Sequence, residues 1–560
     1  MIKRIDNFKN KTRRIKVCIF VLFVALIFRL GYIQIISHSK IDRMVSRLIA
    51  RVDVEEAKRG DILDANGRVF ATSVRRYILF LDAKKISNFH AVKRLLKENK
   101  INLKQNSLQE LDGKSYIPVA DNLSEEIVER IRKASLSGIG FESKYTRQYP
   151  EGRMASPVLG IIGTNSKGLS GIEQEFEKYL AGTDVPVKQT RDGMGTILHE
   201  KIIDRSKING LPVQLTIDMN IQFIAERELR KAFLASRAKN AVCIVQNPKT
   251  GEILAMVSLP DFSPYEKIKD TALLRNYAIS DMFEPGSTFK IVAIAAALNE
   301  NKITPNDYFF LENGVMKIGN HKINDDHLIE GSASVETIMA MSSNIGLVKI
   351  AQKLGRNLFY KYIRKFGFYS LSDIDLPGEA RGSLSDIRQG DSFYLPAVSF
   401  GQGMSVTAIQ ITNAFSVIAN GGVLMKPILI KSIGGNQYSQ EYGQKEIRRV
   451  ITPETAAQMR EMLKAAVDKG TGKQAKVPGY SVGGKTGTAQ KYDVSTKQYS
   501  KHFYISSFAG MIPAQNPEVV IFVLFDEPKE NYYASSISAP VFRNIARQIA
   551  AYLNIPRDEK

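Results

Sequence analysis

Glu284-Pro285-Gly286-Ser287-Thr288-Phe289-Lys290 leads straight into Ile291-Val292-Ala293-Ile294-Ala295-Ala296-Ala297-Leu298. Pro285 and Gly286 break the preceding structure, so this stretch predicts a helix that begins at about Ser287 and is apolar enough to lie inside a core. Ser287 and Lys290 then share one face, a turn apart. In an apolar pocket desolvation disfavours the charged ammonium, and a neutral lysine can take the proton of a serine hydroxyl. The helix start adds free backbone N–H groups near the point of attack. Such an arrangement makes Ser287 a nucleophile.

The S-x-x-K spacing recurs at Ser37-Lys40 and Ser236-Lys239. Ser37 follows a membrane-length apolar run and Ser236 falls at the polar end of an amphipathic helix, so both read as coincidence. Only Ser287 combines a helix start with an apolar helix behind it.

At the N-terminus, residues 1–16 carry Lys3, Arg4, Lys9, Lys11, Arg13, Arg14 and Lys16 against Asp6 alone. Residues 17–36 follow as an apolar run of about 20 residues, enough to cross a ~30 Å hydrocarbon layer as a transmembrane helix. The positive-inside rule keeps the basic tail in the cytoplasm and exports the chain after about Ser37. No small-residue cleavage site follows the run, which argues against a cleaved signal peptide.

With 560 residues, 44% hydrophobic and 24% charged, the chain has room for two or three folded units. Cys18 lies in the membrane run and Cys243 in a buried strand candidate, so they cannot pair, and stability rests on packing. His38, His90, His199, His321, His327 and His502 show no metal-ligand spacing, and neither a catalytic metal nor a cofactor is expected. Net charge is +21. That surface suits anionic lipid headgroups or wall polymers, though a lysine-rich composition explains it equally well; nucleic acid is not an expected partner of an exported chain.

Residues 37–50 continue a helical pattern, and Lys58 to Ala71 reads as strand, Asn66-Gly67 turn, strand. Residues 84–135 mix short helical patterns with polar turns. In the stretch from Gly171 to Gly182 the apolar residues Ile172, Phe176 and Leu180 fall at helical spacing, with Gly182 as the stop. Residues 37–210 hold no catalytic set and read as an N-terminal α+β pedestal. A second unit, 211–560, begins near Leu211. In it Asp218 caps a helix buried along Ile221, Ile224, Leu229, Ala232 and Phe233. Strand candidates follow at 241–246 and 252–258, with two more at 504–512 and 519–525, and a closing helix at about 539–553. Strands at both ends with helices between predict an α+β unit: one antiparallel sheet that brings the ends together, flanked by helices.

Two further motifs follow Ser287 in order. Ser342-Ser343-Asn344 sits between two helical patterns and suits a short loop that turns a hydroxyl and an amide toward a cleft. Lys485-Thr486-Gly487-Thr488 lies on a strand candidate behind Gly483-Gly484, where a ligand can approach the backbone. Lys249-Thr250-Gly251 is a decoy at a hairpin tip.

S-x-x-K, S-x-N and K-T-G in this order are the signature of penicillin-binding proteins and serine β-lactamases. Over nearly its full length the chain resembles the class B penicillin-binding proteins. It has an anchor, Arg59-Gly60-Asp61, Asp64-Ala65-Asn66-Gly67 (Ala65 where the family usually has Arg), Gly171-Ile172-Glu173, Leu376-Pro377-Gly378-Glu379 and Gly401-Gln402-Gly403-Met404-Ser405-Val406-Thr407. Within the family, Glu284-Pro285-Gly286-Ser287, Ser342-Ser343 and Asn324-Asp325-Asp326-His327 look most like the division-specific, FtsI-type branch, with the elongation-specific branch as the alternative. No repeat domain follows residue 553, as in Gram-negative members.

The resemblance implies a D,D-transpeptidase fold and activity. Ser287 would attack the D-alanyl-D-alanine carbonyl of a stem peptide, D-alanine would leave, and an amine of a neighbouring stem, or water in a carboxypeptidase reaction, would take the acyl group. Lys290 would be the acylation base, Ser342 the relay to the leaving amine, and Asn344 the holder of the peptide amide and of Lys290. Lys485 would supply positive field, Thr486 and Thr488 would bind the terminal carboxylate across Gly487, and the N–H groups of Ser287 and Thr488 would form the oxyanion hole. β-Lactams would acylate the same serine. The implied partners are a SEDS-type, FtsW-like polytopic glycan polymerase and other division proteins. The implied location is the inner membrane at the septum, with the catalytic part periplasmic. A β-lactamase would need a second base, and no E-x-x-L-N follows Ser287; a non-catalytic sensor could lose motifs that are all present here.

Overall fold

The computed structural model describes residues 2–40, 50–101, 116–191, 197–200, 208–389, 391–435, 438–493 and 498–559. They form two units, one of residues 1–57 with 183–209, the other of residues 58–182 with 210–560.

In the first unit, the N-terminal helix Ile2–Gly31 passes into a wider turn at Tyr32–Ile36. Residues Lys11–Ile36 are long and apolar enough to cross a membrane. Phe20 is 69% exposed and Phe28 75%, a density of bare apolar surface that water does not tolerate on a stable monomer. Of the helical continuation expected over 37–50, residues 41–49 lie outside the described residues, and Ala50 instead opens a strand, Ala50–Glu55. This strand pairs antiparallel with Val185–Arg191, which pairs with Ile197–Glu200.

The second unit opens with the expected hairpin, β1 (Ile62–Leu63) and β2 (Val69–Leu81). The buried Asp64 carboxylate shapes its turn by accepting from the N–H groups of Asn66 (2.9 Å) and Arg68 (2.7 Å). Strand β2 runs well past the hairpin, between β3 (Ile117–Leu123) and β4 (Ile139–Gln148). Residues 84–135 are therefore not only helices and turns, because β3 lies within them; it carries Pro118, Asp121 and Asn122, and only cross-strand pairing with β2 makes it a strand. The helix expected from 171 to 182 is two, Gly171–Glu175 and Glu177–Leu180, parted at Phe176 (φ −102°, ψ 21°). Glu173 is fully buried and accepts from Arg59 Nε at 2.6 Å and Arg147 Nε at 2.7 Å, which ties the Arg59-Gly60-Asp61 and Gly171-Ile172-Glu173 blocks into one ion cluster. Removing one partner would leave buried charge uncompensated, so this cluster fixes the fold of the region rather than adding much net stability.

Strand β5 (Val213–Leu215) lies between β1 and β6 (Asn240–Gln246) in the chain but pairs with β1, in parallel, and with the strand Ile430–Gly435. Helix α1 (Met219–Ser236) starts at Asp218, whose carboxylate accepts from the N–H groups of Asn220 and Ile221, as the sequence predicts. The antiparallel sheet is completed by β7 (Ile253–Leu259), β8 (Gly483–Asp493), β9 (Gln498–Ile512) and β10 (Val519–Asp526), in the order β7-β6-β10-β9-β8. Along β10, Val519, Ile521, Val523 and Phe525 enter one core while Val520, Phe522 and Leu524 enter the other, the period of two that a sheet covered on both faces requires. One face holds α1 with the closing helix Ser538–Tyr552; Tyr552 donates to Asp218 at 2.9 Å, so the start and the end of the 210–560 segment meet. The other face holds Ala408–Ala419 and Lys290–Asn299, which is buried from Lys290 to Leu298.

Candidate active site

The turn that carries Ser287 is tighter than a helix start. Gly286–Phe289 is a 3₁₀ turn and the α-helix begins at Lys290. With three residues per turn, positions 287 and 290 are superposed, which strengthens the pairing that the sequence predicts. Thr288 is buried and its hydroxyl donates to Pro285 O at 2.8 Å, closing the turn. Gly286 donates to Gly401 O at 3.1 Å; a Cβ on Gly401 would meet Gly286 O at 2.2 Å, and its φ of +83° already requires glycine.

Ser342 closes helix Val335–Met341 in the left-handed region (φ 62°), and Ser343 caps helix Asn344–Leu354 by accepting from Gly346 N at 3.0 Å. Strain at a non-glycine αL residue needs surrounding support. Asp325 gives it, accepting from Ser343 Oγ (2.6 Å), Asn344 N (2.5 Å) and Ile345 N (3.1 Å).

The three motifs converge. Ser287 Oγ lies 3.0 Å from Ser342 Oγ. Lys290 Nζ donates to Ser342 O (2.5 Å), Ser342 Oγ (3.2 Å) and Asn344 Oδ1 (2.7 Å). Hydrogen bonds therefore run from Lys290 to Ser342 and from Ser342 to Ser287. Lys290 is fully buried, and burial lowers its pKa to about 7 although Asp325 and Asp326 pull the other way. Lys485 is also fully buried; burial first, and Lys290 second, hold it well below the ordinary lysine range. It donates to Thr486 O at 3.1 Å, while Thr486 and Thr471 share a hydrogen bond of 2.7 Å. Strand β8 is the edge of the sheet, so one row of its backbone groups is free of a sheet partner. Gly487 lets it lie against the Ser287 turn: a Cβ there would meet Ser507 Oγ at 2.6 Å and Thr288 Cγ2 at 2.9 Å.

The decoys are elsewhere. Lys249 pairs with Glu518 at 2.7 Å on the surface, and Ser236 donates to Phe233 O within the last turn of α1. Sequence reasoning missed Asp325 as a cap, Thr471, and the contacts of Glu284, whose carboxylate accepts from Gly403 N (2.9 Å) and Tyr499 OH (3.2 Å). Burial raises the pKa of Glu284 to about 7. No local pattern links 284 to 403 and 499, so only the closed chain makes that contact visible.

Residues 241–547 match the penicillin binding protein transpeptidase domain, and residues 54–215 the penicillin-binding protein dimerisation domain. Stage V sporulation protein D of Bacillus subtilis is 32% identical over 99% of this chain and 87% of its own length. The peptidoglycan D,D-transpeptidase FtsI of Buchnera aphidicola is 31% identical over 96% of this chain and 94% of its own. Among solved structures, penicillin binding protein 3 of Mycobacterium tuberculosis complexed with aztreonam is 28% identical and superposes with a TM-score of 0.70, covering 90% of this chain and 98% of that one. Penicillin binding protein 2X of Streptococcus thermophilus (26% identical) gives 0.77 over 90% and 81%. The chain belongs to the class B penicillin-binding proteins. Its activity is that of a membrane-anchored peptidoglycan D,D-transpeptidase, an acyl transfer.

Proposed function

We propose that this chain cross-links stem peptides at the division septum, with Ser287 as the nucleophile and as the residue that β-lactams acylate. The observation that carries this reading is the hydrogen-bonded series Ser287, Ser342, Lys290, ending on a fully buried amine. Neutral Lys290 draws the Ser287 proton through Ser342 as Oγ attacks the D-alanyl-D-alanine carbonyl. Ser342 then returns that proton to the departing D-alanine amine. Asn344 spends its Oδ1 on Lys290 and one N–H on Asn324 O, which leaves one N–H for the peptide. The backbone N–H groups of Ser287 and Thr488 receive the oxyanion. A terminal carboxylate bound at Thr486 and Thr488 adds negative charge beside Lys485, and so favours its protonated form.

A pH dependence follows. Burial lowers the pKa of Lys290, so its base form prevails at and above about pH 7 and is lost below it. Penicillin acylation should therefore fall about tenfold per pH unit below that point and level off above it. Stopped-flow acylation rates that stay flat from acid to neutral pH would remove Lys290 as the base.

The division role rests on the Glu284-Pro285-Gly286-Ser287 sequence and on the likeness to FtsI. Residues 37–210 serve as the pedestal of a 211–560 transpeptidase, with the tail 1–16 in the cytoplasm and 17–36 in the membrane. They hold Ser287 above the membrane beside a polytopic glycan polymerase. A fluorescently tagged full-length copy is expected at mid-cell rings in dividing cells; uniform lateral placement would transfer the protein to the elongation branch.

A further inference from the structure

A cavity of about 470 Å³ opens at one end of the catalytic cleft, lined by His327, Lys469, Thr471, Lys473, Ser535 and Ser536 among others. Each of three reaction groups has a neighbour in its wall. Met341 precedes Ser342, Thr471 Oγ1 lies 2.7 Å from Thr486 Oγ1, and Ser535 follows Ala534, whose N–H donates to Thr488 Oγ1 at 3.2 Å. The cavity is basic. Lys469 is 78% exposed and only loosely paired, 3.9 Å from Glu336; Lys473 is exposed; no acid is among the described residues that line the cavity, and Asp468, which precedes Lys469, is paired with Lys464 and Lys476.

We propose that this basic cavity is the acceptor subsite, and that it takes a peptide amine carrying a carboxylate beyond its amino carbon. The proposal rests on the reading of Ser287 as nucleophile and of Thr486 and Thr488 as holders of the terminal carboxylate. By microscopic reversibility, the amine that resolves the acyl-enzyme enters along the line on which the first amine left. The departing residue had its carboxylate at Thr486 and Thr488, so an acceptor in its place extends past those hydroxyls into the space behind Thr471. Its neutral amine attacks the acyl carbon, the bond from that carbon to Ser287 Oγ breaks, and the surplus amine proton passes through Ser342 to the serine oxygen. A peptide bond forms and free Ser287 returns. Lys469 and Lys473 then select acceptors with a negative group, and a filled cavity keeps out the water that would otherwise hydrolyse the acyl-enzyme.

The test offers D-glutamate and D-glutamine, equal in size and different in one charge, as acceptors to the full-length enzyme acylated by an N-acyl-D-alanyl thioester. The ratio of aminolysis to hydrolysis is read by mass spectrometry from one acyl-enzyme pool, so it does not depend on how fast that pool forms. We expect D-glutamate to be favoured about fivefold, the scale of one solvent-exposed ion pair, and the preference to weaken in high salt. It should collapse to about one in the Lys469→Gln/Lys473→Gln variant and survive in Lys469→Arg/Lys473→Arg. Equal partition in the wild type, or an undiminished preference in the glutamine variant, would overturn the subsite. Absence of any acyl group on Ser287 in the wild type is a different failure, and removes the nucleophile reading itself.

Discussion

Ser287→Ala is expected to abolish covalent labelling by a fluorescent penicillin while leaving the fold intact. The change deletes one oxygen at a half-buried position, and the turn that carries it is held by other atoms: Thr288 Oγ1 on Pro285 O, and Gly286 N on Gly401 O. The lost contact is the 3.0 Å hydrogen bond to Ser342, worth about 1 kcal/mol in a typical setting. A melting temperature close to that of the wild type should accompany complete loss of label. Normal labelling in this variant would break the assignment, since neither Ser37 nor Ser236 has a lysine in a comparable pocket. Ser236→Ala and Lys249→Ala should label as the wild type does.

Lys290→Arg should be nearly as damaging, although it keeps the positive charge. Nζ sits among Ser342 O, Ser342 Oγ and Asn344 Oδ1, and it is burial that brings its pKa down to about 7. A guanidinium cannot be deprotonated under these conditions and cannot serve as a base. Loss of a general base typically costs ~10² to 10⁴ in rate, so acylation should slow by that order. The variant also places a larger planar group in a filled pocket, so circular dichroism and melting must accompany the kinetics. Acylation within about tenfold of the wild type would reduce Lys290 to a source of field alone.

Much of the site was legible because its first step is local. The spacing from Ser287 to Lys290 is set by one turn of chain, and the Ile291 to Leu298 run announces burial by composition. The continuous apolar runs of Ala241 to Val245 and of Val519 to Phe525 are local too, as is the Asp218 cap. Tertiary structure supplied what depends on distant residues. Strand β3 was hidden, because a polar segment becomes a strand only through its partner. The short helices around Phe176 were read as one because hydrophobic spacing carries no record of where Glu173 must turn inward to meet Arg59 and Arg147.

The sequence by itself determined the class of protein, the membrane-length apolar run, the turn that carries Ser287 and the order of the three motifs, since each is a matter of residue types at fixed short spacing. Only the tertiary structure decided that Ser342 stands between Ser287 and Lys290, that Asp325 holds the Ser343-Asn344 cap, and that Thr471 extends the Thr486 wall into a basic cavity. The reason is physical. A proton path and a shifted pKa depend on burial and on distances of about 3 Å between groups far apart in the chain, and these exist only after the intervening loops have closed.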